Sequence, residues 1–325
     1  MRWLFCIDSY CPLFVPPALK RWVKLRLTDH QKFGYSAKRK ECTMIYDCFL
    51  YYDEDMMLDI RFNTLAEVVD RFVIVESSHT FTGKPKALNF DITKYEKFKD
   101  KIIYVAFHDH PILKDGNAGE PDAWANESAT RNAIMRGLTE AKDDDIILVS
   151  DVDEIFRPEV VKKINPRHLC TILHMPFFNY QFNLQVFNSD GSERQCKAPR
   201  ATTYRNLRDF FNGEPEAFRN VKKSAMHKGF ISKTWFKLRS KIVKNSGWHF
   251  SWIMTPERIS EKMSSISHTE YDLPHLNNKE HIINALTNAK DIWNRERKME
   301  KQLLTKDKFP AYLVDNAEKY KDFII

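Results

Sequence analysis

DDDIILVSDVDEIF, residues 143–156, passes from three acids through four apolar residues, Ile146 to Val149, into Ser150 and a second acidic cluster. Four apolar residues bounded by turn-forming acids have the length and composition of a buried strand. Asp151, Asp153 and Glu154 therefore stand directly beyond the end of a segment built to be buried.

Upstream, the pattern repeats. MIYDCFLYY (44–52) reads as a buried strand, and MMLDIRFNTLAEVV (56–69) sets apolar residues at helical spacing. RFVIVESS is a second apolar run that ends in an acid, and KIIYVAF (101–107) is a third after the turn-like TGKPK. A helix from about Pro121 to Ala141 leads to the fourth strand, IILVS. Strands that are almost continuously apolar and alternate with helices imply an α/β fold, with a mostly parallel central sheet flanked by helices.

In open α/β sheets, ligands bind beyond the carboxyl ends of the strands. Glu76 and the 151–154 cluster both fall at such ends. Asp151 and Asp153, two residues apart in a turning segment, can direct oxygens at one hard divalent cation. The plainer alternative is that these acids cap the helix suggested by PEVVKKI, since acids favour helix N-termini.

Composition sets the frame. With 325 residues, 43% hydrophobic and 29% charged, the chain has enough apolar residues for a sizeable core. Its 51 Lys and Arg against 44 Asp and Glu leave a formal charge of +7, scattered without a block of one sign, and give no indication of nucleic-acid binding. Six cysteines, at 6, 11, 42, 48, 170 and 196, form neither a CxxC pair nor a dense disulfide framework, which favours a reducing compartment. WLFCIDSYCPLFVPPAL (3–19) is apolar, but Asp8 and Pro12, Pro16 and Pro17 interrupt it. No transmembrane segment is expected there, because a span needs roughly 20 uninterrupted apolar residues. Residues 1–43 are expected to form an N-terminal extension, solvated or in weak contact with a membrane surface, ahead of a domain over 44–325.

Three separated blocks carry a resemblance. MIYDCFLYYDEDMMLDIRFNTLAEVVDRFVIVESSHTFTGKPKAL, then DDIILVSDVDEI, then SGWHFSWIMTPERISEKMSSISHTEY stand in the order and approximate spacing of glycosyltransferase family 17. The chain resembles that family from about Met44 to its C-terminus, where KFPAYLVDNAEKYKDF is similar to the family's closing segment. The resemblance implies a GT-A-like nucleotide-sugar-binding domain and an inverting transfer of N-acetylglucosamine from UDP-N-acetylglucosamine to a glycan or glycoconjugate. It also implies a divalent metal, Mn2+ before Mg2+.

On that resemblance Asp151 and Asp153 are the metal-binding DxD, and His249 in GWHFSW (247–252) is the histidine that completes the shell, with His268 next in line. Glu76, Gly83, Lys84 and Arg131 are expected at the donor, and Glu154 and Glu127 are the candidate bases. Each has a plainer reading: a solvated strand end for Glu76, a basic surface loop for Gly83 and Lys84, a surface ion pair for Glu127 and Arg131, and a core imidazole for His249. Trp248 and Trp252 either stack on sugars or fill the core, and HMPFFNYQFNLQVF (174–187) reads as a strand pair beside the acceptor. Animal family members are anchored in the Golgi. No such anchor is expected in this sequence, and its sequon Asn126-Glu127-Ser128 overlaps the donor site, so a cytoplasmic location is expected, with the Golgi as the alternative if the chain follows the animal members. Two rivals share the pattern: a phosphatase of the haloacid dehalogenase type, with the first Asp as nucleophile, and a silent glycan-binding protein.

Overall fold

The structure is a computed structural model and describes residues 43–109, 111–114, 119–221 and 230–325. The four apolar runs are strands: β1 (Ile45–Leu50), β2 (Arg71–Ser77), β3 (Ile102–Phe107) and β4 (Ile146–Val149). After them come β5 (Glu154–Phe156), β6 (Cys170–Leu173), β7 (Met175–Asn179), β8 (Leu184–Asn188) and β9 (Gln195–Cys196). The remainder are β10 (Arg200–Thr203), β11 (Ser240–Val243), β12 (Gly247–Ser251) and β13 (Arg297–Lys301). The extension expected over 1–43 lies outside the described residues except for Thr43, as do Cys6, Cys11 and Cys42.

Among the described residues, seven strands make one sheet in the order β11-β6-β10-β4-β1-β2-β3, and β13-β8-β7-β12-β5 make a second, which β9 joins at β7. The fold is α/β, as expected. The stretch β4-β1-β2-β3 is parallel throughout, and β11 runs parallel to β6. The sheet is nevertheless mixed, because β10 lies antiparallel to both β4 and β6. It arrives by a short link from β9, with no room for the crossover that a parallel entry needs. In the second sheet only β12 and β7 pair in parallel. The strand pair read at 174–187 is β7 and β8.

Alternation along β4 explains why its four residues are all apolar. Ile146 and Leu148 enter one core with Phe49 and Ile74, whereas Ile147 and Val149 enter the other with Cys48 and Val75. Each such side chain contributes about 1.5–3 kcal/mol by leaving water. Helix Asp55–Leu65 covers one face through Met57, Leu58, Ile60, Phe62 and Leu65. The helix expected from Pro121 to Ala141 is shorter, running Ala123–Asn132 from its Asp122 cap and tightening into a 3-10 turn, Ala133–Gly137. That turn presses on β2, and a Cβ on Gly137 would lie 2.4 Å from Val73 Cγ1. No helix among the described residues is long and apolar enough to cross a membrane.

One buried cation ties helix, sheet and acidic turn together. Arg61, 0% exposed, grips Asp47 on β1 with Nε at 2.7 Å and Nη2 at 2.5 Å. Nη2 also donates to Ser150 Oγ at 2.6 Å, and Nη1 to the carbonyls of Asp151, Val152 and Glu154 at 2.9, 3.1 and 3.1 Å. The guanidinium lies over the Phe49 ring, 4.3 Å from its centroid. All five of its donors are used.

Arg61→Met strands the Asp47 carboxylate and three carbonyls away from water, so the protein is expected to lose about 3–5 kcal/mol of stability. Denaturant unfolding measures this, and the Asp47→Leu/Arg61→Met pair should cost less than the two single changes summed. A loss below about 1 kcal/mol for Arg61→Met would contradict the role given to the network.

Candidate functional site

A cavity of about 490 Å3 opens beyond the carboxyl ends of β1, β2 and β4 and is closed on its other side by β7 and β12. Its size suits a small polar ligand. Tyr51 to Glu54 follow β1, Ser77 ends β2, Asp151 to Asp153 follow β4, and Asn179, His249 and Ser251 come from the second sheet. Pairing of β12 on β5 sets His249 opposite Glu154, with Gly247 opposite Phe156. No larger residue fits at Gly247, where a Cβ would lie 2.1 Å from the Ile155 carbonyl oxygen.

Arg61 holds the backbone of the acidic turn from behind, and two further buried arginines hold its side chains. Arg219 donates to Asp151 Oδ2 at 2.5 Å and to both Glu154 oxygens at 2.7 and 2.9 Å. Arg131 reaches Asp151 Oδ1 at 3.4 Å, Glu127 at 2.6 Å and Glu216 at 2.8 Å. Burial alone would weaken both guanidinium charges, but Asp151 and its neighbouring carboxylates override it and raise both arginines, Arg219 well above its ordinary value. Two guanidinia thus face four carboxylates, and the turn keeps an excess of negative charge.

Asp153 is placed differently. It is 9% exposed, its Oδ1 has no hydrogen-bond partner, and His249 Nε2 lies 3.6 Å away. Burial opposes its charge, yet the imidazole holds its carboxyl below the ordinary range. The same pairing, with Cys196, raises His249 well above its usual value although burial works against the imidazolium. An unpartnered carboxylate oxygen beside an imidazole on a cavity wall is a donor set suited to Mn2+ or Mg2+. Asp151, held by Arg219 and Arg131, still has acceptor sites with which to join it. Glu154, Cys196 and His249 also offer ligand atoms within 4.8 Å of one another, but Cys196 Sγ donates to Glu154 Oε1 at 3.1 Å and Glu154 is bound to Arg219.

Several expected residues take other places. Glu154 is 0% exposed and does not line the cavity. Burial would raise its carboxyl, but Arg219 holds it down at about 2, as the counter-ion of that guanidinium. Glu76 is buried and accepts from Lys86 Nζ, the amides of Asn89 and Phe90, and the Tyr104 hydroxyl at 2.6, 2.7, 3.0 and 2.9 Å. A carboxylate has about four acceptor sites, so none remains for a nucleoside. Gly83 turns the loop at φ +81°, and Lys84 is exposed, but neither lines the cavity. Lys86 lines it instead and is held by Glu76.

The pair Glu127 and Arg131 belongs to the cleft rather than to the surface: Arg131 is 2% exposed, and Glu127 accepts from Ser267 as well. His268 lines the cavity beside Trp124 and pairs with Glu270 at 2.7 Å. Trp248 is core, its Nε1 donating to the Lys308 carbonyl at 2.6 Å. Trp252 lines the cavity with its backbone at φ +58°, a region that bulky residues rarely occupy. Asn126 of the sequon is buried, its amide bridging Phe81 and Ile112. Arg219, Cys196 and Glu54 lie in stretches whose local pattern gives no sign of a site.

Human and rat beta-1,4-mannosyl-glycoprotein 4-beta-N-acetylglucosaminyltransferases are each 27% identical to the chain over 232 residues, 66% of its length. Those residues make up 42% and 41% of the two relatives, so the chain spans less than half the length of the curated relatives it matches. Among solved structures, it is similar to the mannosyltransferase PcManGT of Pyrobaculum calidifontis in complex with GDP-Man and Mn2+, with a TM-score of 0.36 and 11% identity over 83% of this chain and 77% of that one. It is also similar to S. aureus TarS 1-349, with a TM-score of 0.32 and 15% identity over 76% and 71% of the two chains. Both likenesses are shallow. The model of glycosyltransferase family 17 matches residues 27–214, a stretch that starts within the expected extension and takes in the acidic turn and most of its partners, and the chain belongs to that family.

Proposed function

We propose that the protein transfers a sugar, N-acetylglucosamine in the first instance, from a UDP-linked donor to a hydroxyl of a glycan or glycoconjugate with inversion at the anomeric carbon. The observation that carries this reading is the unpartnered Asp153 oxygen facing His249 on the wall of a strand-end cavity. Family membership and the N-acetylglucosaminyl transfer named for its curated relatives support it.

In this reading Asp153 and His249 would hold a divalent cation, with Asp151 adding an acceptor site that its two arginines leave free. When bound, the cation neutralises charge on a departing diphosphate. Arg131 and Arg219, anchored by Glu127, Glu216 and Glu154, fix the turn so that it does not reorganise as charge develops nearby. The base in this reading is Glu54, in place of Glu154 and Glu127. It lines the cavity, its Oε2 is pinned by the amides of Tyr52 and Asp53 at 2.9 and 3.2 Å, and Lys262 is the nearest cation to Oε1, at 3.8 Å. Burial raises its carboxyl, as suits a group that must take a proton from a hydroxyl. The phosphatase reading needs Asp151 free as a nucleophile, and two arginines occupy it.

UDP release from UDP-N-acetylglucosamine with Mn2+ and a glycan acceptor panel tests the function. Asp153→Asn is expected to lower turnover by about a hundredfold or more with an unchanged melting temperature. His249→Ala should raise the Mn2+ concentration needed for half-maximal rate, with part of the rate recovered at saturation. Near-normal turnover in Asp153→Asn, or an unchanged Mn2+ requirement in His249→Ala, would remove the corresponding ligand. Binding of the donor without turnover by the unaltered protein would favour the silent glycan-binding reading.

Glu54→Gln should lower kcat by about a hundredfold or more while leaving the affinity for UDP and Mn2+ within a few-fold. Calorimetry on the purified variant measures the affinity. Equal loss of donor affinity and turnover would make Glu54 a structural support of the cleft instead.

A further inference from the structure

Beyond the partners of the acidic turn, the cavity is lined by three more arginines, with the buried carboxylate of Asp291 behind them. Arg194 follows β8, and Arg295 and Arg297 lie at the start of β13. Arg295 takes both oxygens of Asp291, with Nε at 2.9 Å from Oδ1 and Nη2 at 2.8 Å from Oδ2. Arg297 is left with a 3.5 Å approach to the same carboxylate, and its side chain is only 13% exposed. Among the described residues, its guanidinium has no hydrogen-bond acceptor, and Arg194 has neither an acceptor nor an ion-pair partner. Arg194 lies over the Phe177 ring, 4.9 Å from its centroid, and His249 packs on the same ring at 4.2 Å.

Arg194 and Arg297 thus bring ten guanidinium donors to the cavity wall, with the 3.5 Å approach to Asp291 as their one carboxylate contact among the described residues. Guanidinia gathered on a half-buried wall give up part of their hydration and repel one another, and the protein returns little in exchange. Burial, with the repulsion of Arg295 added, lowers both arginines, Arg297 to about 10. An oxyanion would reverse each of these penalties, because a carboxylate or phosphate accepts the paired donors of a guanidinium fork.

We propose that Arg194 and Arg297, steadied by Arg295 and Asp291, form an anion subsite that recognises a carboxylate or phosphate group on the acceptor. The reading rests on the proposed transferase activity for the word acceptor, while the anion subsite itself rests on the geometry alone. A donor diphosphate carries the same chemistry, but in the proposed function it lies at Asp153 and His249, with Arg131 and Arg219 as its neighbouring cations. Phe177 stands between that position and Arg194. An acidic group here therefore selects the acceptor rather than the leaving nucleotide.

Saturation-transfer NMR on the full chain, with glucuronic acid and mannose 6-phosphate against glucose and mannose, tests the subsite, and UDP with Mn2+ titrated by calorimetry serves as the independent ligand. The acidic sugars should bind at least tenfold more tightly than the neutral ones. Arg194→Gln/Arg297→Gln should abolish that preference and leave UDP affinity within twofold, with Arg194→Gln alone as the milder variant should the pair unfold. Equal binding of acidic and neutral sugars would overturn the proposal. So would a variant that loses UDP affinity together with the acidic sugars, since the cluster would then serve the donor. Failure of the unaltered protein to bind UDP at all would count against the transferase reading, while the preference for acidic sugars would still decide the subsite.

Discussion

The geometry of the cleft depends on a single guanidinium that never meets the substrate. Arg61 is bound to Asp47 in the middle of β1, to Ser150 at the end of β4, and to three backbone carbonyls of the turn beyond it. The tail of an apolar strand would otherwise leave those carbonyls without donors inside the protein, because β4 ends at Val149 and the chain is still buried at Val152. A helix residue supplies what the sheet does not. Asp151 and Asp153 can then point into the cavity while their own backbone stays fixed.

Above that foundation, the electrostatics divide the acids by role. Glu154 and Asp151 are held by arginines whose own surroundings are acidic, and this makes a rigid scaffold of alternating charge. Asp153 is spared the arginines and left with a buried oxygen that takes no protein hydrogen bond, beside His249. Three carboxylates within four residues therefore differ in availability because of what approaches them from elsewhere in the chain: residue 61 from behind, residues 131 and 219 from the side, and residue 249 from the second sheet. At the far end of the cavity the balance is inverted, with guanidinia in excess of carboxylates.

How much of this could be read from the sequence follows the range of the interactions involved. The strands β1 to β4 and the helix after β1 declare themselves because burial on two faces requires continuous apolar runs and one-face burial requires a helical period. Asp151, Asp153 and His249 came from motif chemistry and from the family's blocks, and the structure brings all three to the cavity. The expected roles of Glu76 and Glu154 meet one physical obstacle that sequence does not display. A carboxylate at a strand end looks the same in sequence whether it faces ligand or is saturated by donors, and the donors to Glu76 include amides ten or more residues away. Arg219, Cys196 and Arg297 had no local signature at all, since their roles exist only once β9, β13 and helix Pro215–Arg219 have been brought to the cleft. The antiparallel β10 escaped notice because a short return from a second sheet leaves no mark in apolar periodicity.

Trp252 carries its bulk on a left-handed backbone at φ +58°, with the ring on the cavity wall against Trp293. A side chain branching from such a backbone is held there at roughly 1–3 kcal/mol above a relaxed conformation. Glycine would relieve the backbone and remove the ring in one step. Selection for thermal stability alone would thus be drawn to a position that selection for catalysis would defend, and the two pressures would pull this residue in opposite directions. The cleft is in that sense a place where the protein forgoes part of its own robustness, and homologues optimised for heat are where the compromise should first become visible.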